Sequence, residues 1–149
     1  MATRVDPVKA FNFILSVDGM SGSTGFSECS GLSTDGDIVE YREGTDKSLW
    51  TRKLTGLRKH AHITLKRGIT SASNSLDLWS WRKNVLDGTS DVRNGTITLL
   101  DEQQNPVMYW KFYKGWPVKY DGPTLNAKNN DVAVESIEIV YDGGLDVET

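Results

Sequence analysis

Between Trp110 and Tyr141 the chain reads WKFYKGWPVKYDGPTLNAKNNDVAVESIEIVY, and this order of special residues narrows the folds open to it. A strand pattern spans Val107 to Tyr113, with Met108, Trp110 and Phe112 on one face. Trp116-Pro117 breaks that pattern, Val118 to Tyr120 forms a second short strand, and Gly122-Pro123 turns the chain. A polar stretch beginning with Leu125, Asn126 and Ala127 leads to a last strand from Val132 to Tyr141. Its apolar phase slips between Val134 and Ile137, which predicts a bulge or burial on both faces.

Upstream, Phe11, Phe13, Leu15 and Val17 alternate with Asn12, Ile14 and Ser16 as a half-buried strand that Asp18-Gly19 ends. Phe26 to Leu32 and Ile38 to Arg42 are shorter strand candidates, separated by a turn signal at Asp35-Gly36. Residues 43–58 read as a long polar insert without periodicity, exposing Leu49, Trp50, Leu54 and Leu57. Alternation resumes from His62 to Arg67. Ser73, Asn74 and Ser75 offer N-caps for one helix over LDLWSWRKNVLDG. Leu78, Trp81 and Val85 share its face, Asp77 suits the first turn, and Gly88 suits the stop. Asn94-Gly95 predicts a tight turn before a strand from Thr96 to Leu100, after which DEQQNP turns the chain. Short strands with one helix predict a mainly β fold, a sandwich or barrel with the helix packed on it.

A length of 149 residues fits one domain spanning 1–149. The apolar fraction of 38% excludes the 14 glycines, and adding them allows an ordinary core. A net charge of −3 argues against a strongly electrostatic nucleic-acid binder. Cys29 is the single cysteine, so no internal disulfide supports the fold. MATRVDPVKAFNF carries no apolar signal core, and no apolar run reaches membrane-spanning length, so the expectation is cytosolic synthesis without stable membrane insertion.

Charge is segregated. Thr51 to Leu76 holds Arg52, Lys53, Arg58, Lys59, Lys66 and Arg67 and no acid. Asp131 to Thr149 holds Asp131, Glu135, Glu138, Asp142, Asp146 and Glu148 and no Lys or Arg. Such blocks form either two solvated faces or complementary surfaces for head-to-tail contacts between copies.

The chemistry-bearing residues give weak patterns. His60 and His62 share a face on a strand, but two ligands without nearby carboxylates or thiols are too few for a metal. Cys29 with a histidine lacks an orienting group, so a packed thiol is the better reading. Asp35-Gly36-Asp37 lacks the spaced oxygens of a calcium loop and reads as a turn. Asn94-Gly95-Thr96 matches a glycosylation acceptor, but the turn reading is preferred. Gly19, Gly22 and Gly25 do not form a phosphate loop. Five tryptophans and five tyrosines suit a core or a subunit interface better than a stacking platform. No catalytic, cofactor-binding or metal residue is assigned, and no cofactor is expected.

Several blocks in order carry a family resemblance: DPVKAFNFILSVDG, GFSECSGLSTDGDIVEYREGTD, KLTGLRKHAHITLKRGIT, LWSWRKNVLDG, and the stretch from Arg93 to Gly144. Over some 130 residues they resemble the tail tube proteins of contractile phage tails and phage-like contractile injection systems. Thr55 stands where the family often has proline. The resemblance implies a β-sandwich or barrel protomer with one helix, forming hexameric rings that stack into a hollow conduit driven by sheath contraction. It implies no enzyme activity. The implied partners are further copies of the chain, sheath protein, baseplate and tube-terminating proteins, and a luminal cargo protein or phage DNA. The mature form would lie in a phage tail or an extracellular tail-like particle. A baseplate-proximal initiator or a type VI secretion tube protein is the nearest alternative, and a monomeric β-rich binding module a remote one. The 43–58 insert would reach the adjacent ring through Arg42, Glu43, Asp46, Lys47, Trp50, Arg52 and Lys53, with Leu54 and Leu57 as apolar anchors. Thr96, Thr98 and Lys111 are candidates for the lumen wall.

Overall fold

The computed structural model describes residues 6–9, 12–19, 26–45, 47, 49–69, 76–128 and 132–149. Strands are β1 (Phe13–Val17), β2 (Phe26–Ser30), β3 (Thr34–Tyr41), β4 (Arg52–His60), β5 (Ile63–Gly68), β6 (Arg93–Leu100), β7 (Pro106–Asp121), β8 (Val134–Tyr141) and β9 (Leu145–Glu148). One helix, α1 (Asp77–Leu86), lies between β5 and β6. Seven strands form one antiparallel sheet in the order β1-β6-β7-β8-β5-β2, with β9 added onto β7. β3 and β4 form a second sheet of two strands only.

Strict alternation builds the core. Ile63, Leu65, Ile97, Phe112, Ile137 and Ile139 all point inward from neighbouring strands and are buried with Leu15 and Val17. Helix α1 packs along β7 and adds Leu78 and Trp81 to the same cluster, as their spacing predicts. Trp81 is anchored at its polar edge, where Nε1 donates to the Asp91 carbonyl at 2.8 Å. The Arg93 guanidinium lies over the Trp81 ring at 5.0 Å and donates to Asp91 at 3.0 and 2.9 Å. Hydrogen bonding from Arg93 first, then from Asn84, holds the Asp91 carboxyl below its usual range against the opposing effect of burial. Gly88, at φ 82, closes the helix. Ser73, Asn74 and Ser75 lie outside the described residues, and Leu76 ahead of the helix makes no side-chain cap.

Several local expectations are corrected. Trp116-Pro117 does not break a strand: β7 is continuous, and Pro117 is buried beside a register shift between Pro117 and Lys119. A shift there accommodates the missing amide proton. Lys114, at φ 53, bends β7 where it passes from β6 and β9 to β8. Its amide donates to Asn94 Oδ1 at 3.1 Å and its carbonyl accepts from Asp142 at 3.2 Å, which fixes an otherwise costly conformation. Asn94-Gly95 is not a turn but part of β6, at a register shift. Gly95 makes room for Phe112, since a Cβ there would lie 2.3 Å from the ring. Asp35-Gly36 lies inside β3, and β9 follows the strand expected to be last.

The phase slip near Val134 is neither bulge nor two-faced burial. β8 alternates regularly and pairs with β5 without interruption, and the inward position is occupied by Glu135. Glu135 Oε1 accepts from Arg67 Nε at 2.6 Å, and both side chains are buried. Tyr120 Oη donates to Glu135 Oε2 at 2.6 Å, and Arg67 lies 5.7 Å from the Phe26 ring centre. The Tyr120 phenol is pushed up to about 12, by burial first and then by this hydrogen bond. The acidic and basic blocks therefore do not form two wholly separate surfaces. Arg67 meets Glu135 in the interior, and His62 Nδ1 lies 2.6 Å from Glu138 across the same strand pair.

A candidate assembly arm

The stretch read as a loop at 43–58 is irregular only in its first part, and its second part is a strand. Arg52, Lys53, Leu54 and Leu57 sit on β4, which pairs with β3, and only the connection between Tyr41 and Arg52 remains irregular. The hairpin continues β2 and β5 beyond a bend. Gly31, at φ 89, forms that bend, where a Cβ would lie 1.9 Å from the His62 carbonyl oxygen. Ser33 then donates to the Gly31 carbonyl and Ala61 to the Ser33 carbonyl, at 2.9 and 3.3 Å. Past this point the chain leaves the core sheet as an arm.

Every residue of β3 is exposed, and so is every residue of β4 except Gly56. Exposure on both faces removes the alternation that marks a half-buried strand, so the sequence pattern looks like loop. Register places the apolar residues together. Val39 pairs with Leu54 and Tyr41 with Arg52. The shift between Gly36 and Ile38 sets Gly56 and Leu57 opposite Asp37, and a Cβ on Gly56 would approach the Asp37 carbonyl to 2.8 Å. Because Asp35 pairs with Lys59, Leu57 falls on the face of Val39 and Leu54. Val39, Tyr41, Leu54 and Leu57 thus form one strip, 49%, 47%, 51% and 76% exposed. Ile38, Glu40 and Lys53 occupy the other face. At the tip, Leu49 and Trp50 are 91% and 84% exposed. Two strands without a covering layer are marginal in water, and a continuous apolar strip marks a contact surface.

The expected contact residues fall on this arm. Arg52, Lys53, Leu54 and Leu57 lie on β4, while Arg42, Glu43, Lys47 and Trp50 lie in the connection. Asp46 lies outside the described residues. Val39 and Tyr41, within the Ile38 to Arg42 strand candidate, were not among the expected contacts, because only the register shows that they join Leu54. The other candidates are dispersed. His60 stacks on Tyr141 at 5.0 Å, while His62 faces Glu138. Cys29 is half-buried on β2, and burial pushes its thiol up to about 11. A thiol in that range is protonated and a poor nucleophile at neutral pH. The five tryptophans share no platform: Trp81 is internal, Trp110 packs against the core, Trp79 meets Tyr120 at 5.5 Å, Trp116 is half-buried on β7, and Trp50 is on the arm. Thr96 pairs with Lys111 and Thr98 with Tyr109, on the face opposite Ile97 and Phe112.

A protomer that leaves an apolar arm uncovered matches a family built for assembly. The T4-like virus tail tube protein gp19 model matches residues 9–144. The chain belongs to this tail tube family. A chain from the sheath–tube complex of PVC, an extracellular contractile injection system in its extended state, is 25% identical, with a TM-score of 0.82. That match covers 95% of this chain and 91% of the other. A chain from the PVC sheath/tube terminator is 24% identical with a TM-score of 0.85, covering 99% of this chain and 100% of the other. Hcp1 from Flavobacterium johnsoniae shares the fold more distantly, at 16% identity and a TM-score of 0.52, over 89% of this chain and 96% of the other. Comparison with curated proteins gives no match. This tail tube protein is mainly β with one helix, and its role is that of a structural tube component of contractile injection systems.

Proposed function

We propose that six copies close into a ring, that rings stack into the inner tube of a contractile particle, and that the β3–β4 arm makes the contact between rings. One observation carries this reading: a whole two-stranded sheet with the strip Val39, Tyr41, Leu54 and Leu57 has no cover among the described residues of the protomer. Burying such a surface repeatedly in identical contacts gives a stiff conduit without any single strong bond. Sheath protein outside the tube, baseplate and terminating proteins at its ends, and a cargo protein or DNA in its lumen are the partners of this role. The lumen wall takes Thr96, Thr98 and Lys111, whose polar chemistry gives cargo little to hold. The subunit acts mechanically, makes and breaks no covalent bond, and needs no cofactor. It is made in the bacterial cytoplasm and works in a phage tail or extracellular tail-like particle.

Electron microscopy of the purified protein, alone and co-expressed with sheath and baseplate, tests this directly. Rings or stacked rings are expected. Arg52→Glu combined with Lys53→Glu should reduce stacking while leaving the folded protomer intact by circular dichroism. Undiminished stacking of that variant would overturn the assignment of the arm to the inter-ring contact.

A further inference from the structure

Among the described residues the large sheet does not close on itself: β1 pairs only with β6, and β2 only with β5, so each terminal strand presents one edge without a described partner. Between those edges runs a cleft of about 270 Å³. Phe13, Leu32, Leu99 and Trp110 line it, with Cys29 along its side and Glu28 as its only charged residue. Phe13, Cys29, Leu32 and Trp110 are half-buried extensions of the core, so the cleft is where the core reaches solvent. Unpaired edges flanking an apolar cleft form a receptor for another β element.

We infer that this seam receives the arm of a second copy, through the face formed by Val39, Tyr41, Leu54 and Leu57. The inference rests on the assembly role proposed for the arm. The protomer's own arm cannot reach. Leu32, at the arm's root, already lines the cleft, and nine residues of extended chain carry Tyr41 roughly 30 Å away from it. The strip and the cleft are two uncovered apolar surfaces on different parts of one chain, which is the condition for a head-to-tail contact between copies. Charge is compatible with the pairing. Arg52 is paired across from Tyr41 on the same face, and Glu28 of the cleft, 3.7 Å from Lys66, keeps an exposed carboxylate that a second cation can approach. Docking would cover both the strip and the unpaired sheet edges.

Cys29 makes the contact measurable, being the chain's single cysteine. Leu54→Cys places a thiol on the docking face. The variant is assembled, inspected by electron microscopy, oxidised with copper-phenanthroline, and digested for mass spectrometry. The expected product is a disulfide between position 54 and Cys29, with covalent multimers on a non-reducing gel that Cys29→Ala removes. Leu57→Cys, on the same face, is the second reporter should the first variant assemble poorly. Rings or tubes that yield no cross-link to Cys29 from either position overturn the seam as receptor while leaving the tube function standing. Failure of the unmodified chain to form rings, alone or with sheath and baseplate, overturns the proposed function itself. A charge swap gives an independent check: Arg52→Glu should raise the protein concentration needed for assembly about tenfold, and adding Glu28→Arg should recover most of that loss. No recovery in the double variant counts against the pairing.

Discussion

Trp81 and Trp50 show how differently one side chain is used in the two halves of this molecule. Trp81 is fully buried, with its indole nitrogen bonded to the Asp91 carbonyl and its ring beneath Arg93. Trp50 stands 84% exposed at the tip of a two-stranded arm. The body satisfies its polar groups internally and gains its stability within one protomer. The arm keeps its large apolar side chains about half or more exposed in the protomer. Stability and assembly should therefore respond to separate sets of mutations.

The largest effects on folding belong to the body. Trp81→Ala removes the main anchor of α1 and should cost ~3–5 kcal/mol in urea unfolding. Trp50→Ala should change protomer stability by less than about 1 kcal/mol while reducing assembly, and a comparable loss in both variants would break the comparison. Next comes the Arg67, Glu135 and Tyr120 cluster. Arg67→Ala leaves a buried carboxylate without its cation and should cost ~3–5 kcal/mol, also read from urea unfolding. Gly95→Ala should destabilise by ~1–3 kcal/mol, because its Cβ and the Phe112 ring compete for one space.

The smallest expected effect is a pH dependence at the root of the helix. The folded state holds the Asp91 carboxyl below its ordinary range, so its contribution is present above the unfolded pKa, about 4, and disappears as pH falls through the folded value. Thermal melts between pH 6 and pH 3 should lose stability more steeply in the native chain than in Asp91→Asn. Parallel slopes would remove Asp91 as a contributor.

Much of the body was legible in the sequence because one wet and one dry face leave a pattern. Leu78, Trp81 and Val85 located the helix, and Ile63 and Leu65 located β5, by spacing alone. Legibility failed where polarity and burial part company. Glu135 occupies a core position as a charge, so the strand around it read as interrupted until Arg67 was found opposite. Trp116-Pro117 imitates a chain break inside β7, because a proline accommodated at a register shift leaves no local trace of that shift. The arm was legible by half: Ile38 to Arg42 reads as a strand and falls largely on β3, but β4, with both faces wet, has no alternation to separate it from loop. The contact residues that the family resemblance implies lie on or beside the arm, but only the register unites Leu54 and Leu57 of β4 with Val39 and Tyr41 of β3.

The central claim is that the arm's apolar strip serves assembly and not the fold of the protomer. The most direct test is the triple variant Val39→Ser, Leu54→Ser and Leu57→Ser, compared with the native chain by cryo-electron microscopy and by urea unfolding of the protomer. Stacked rings are expected from the native chain, and from the variant a folded protomer of nearly unchanged stability that no longer stacks. Stacked rings from the triple variant, or its outright unfolding, would contradict it.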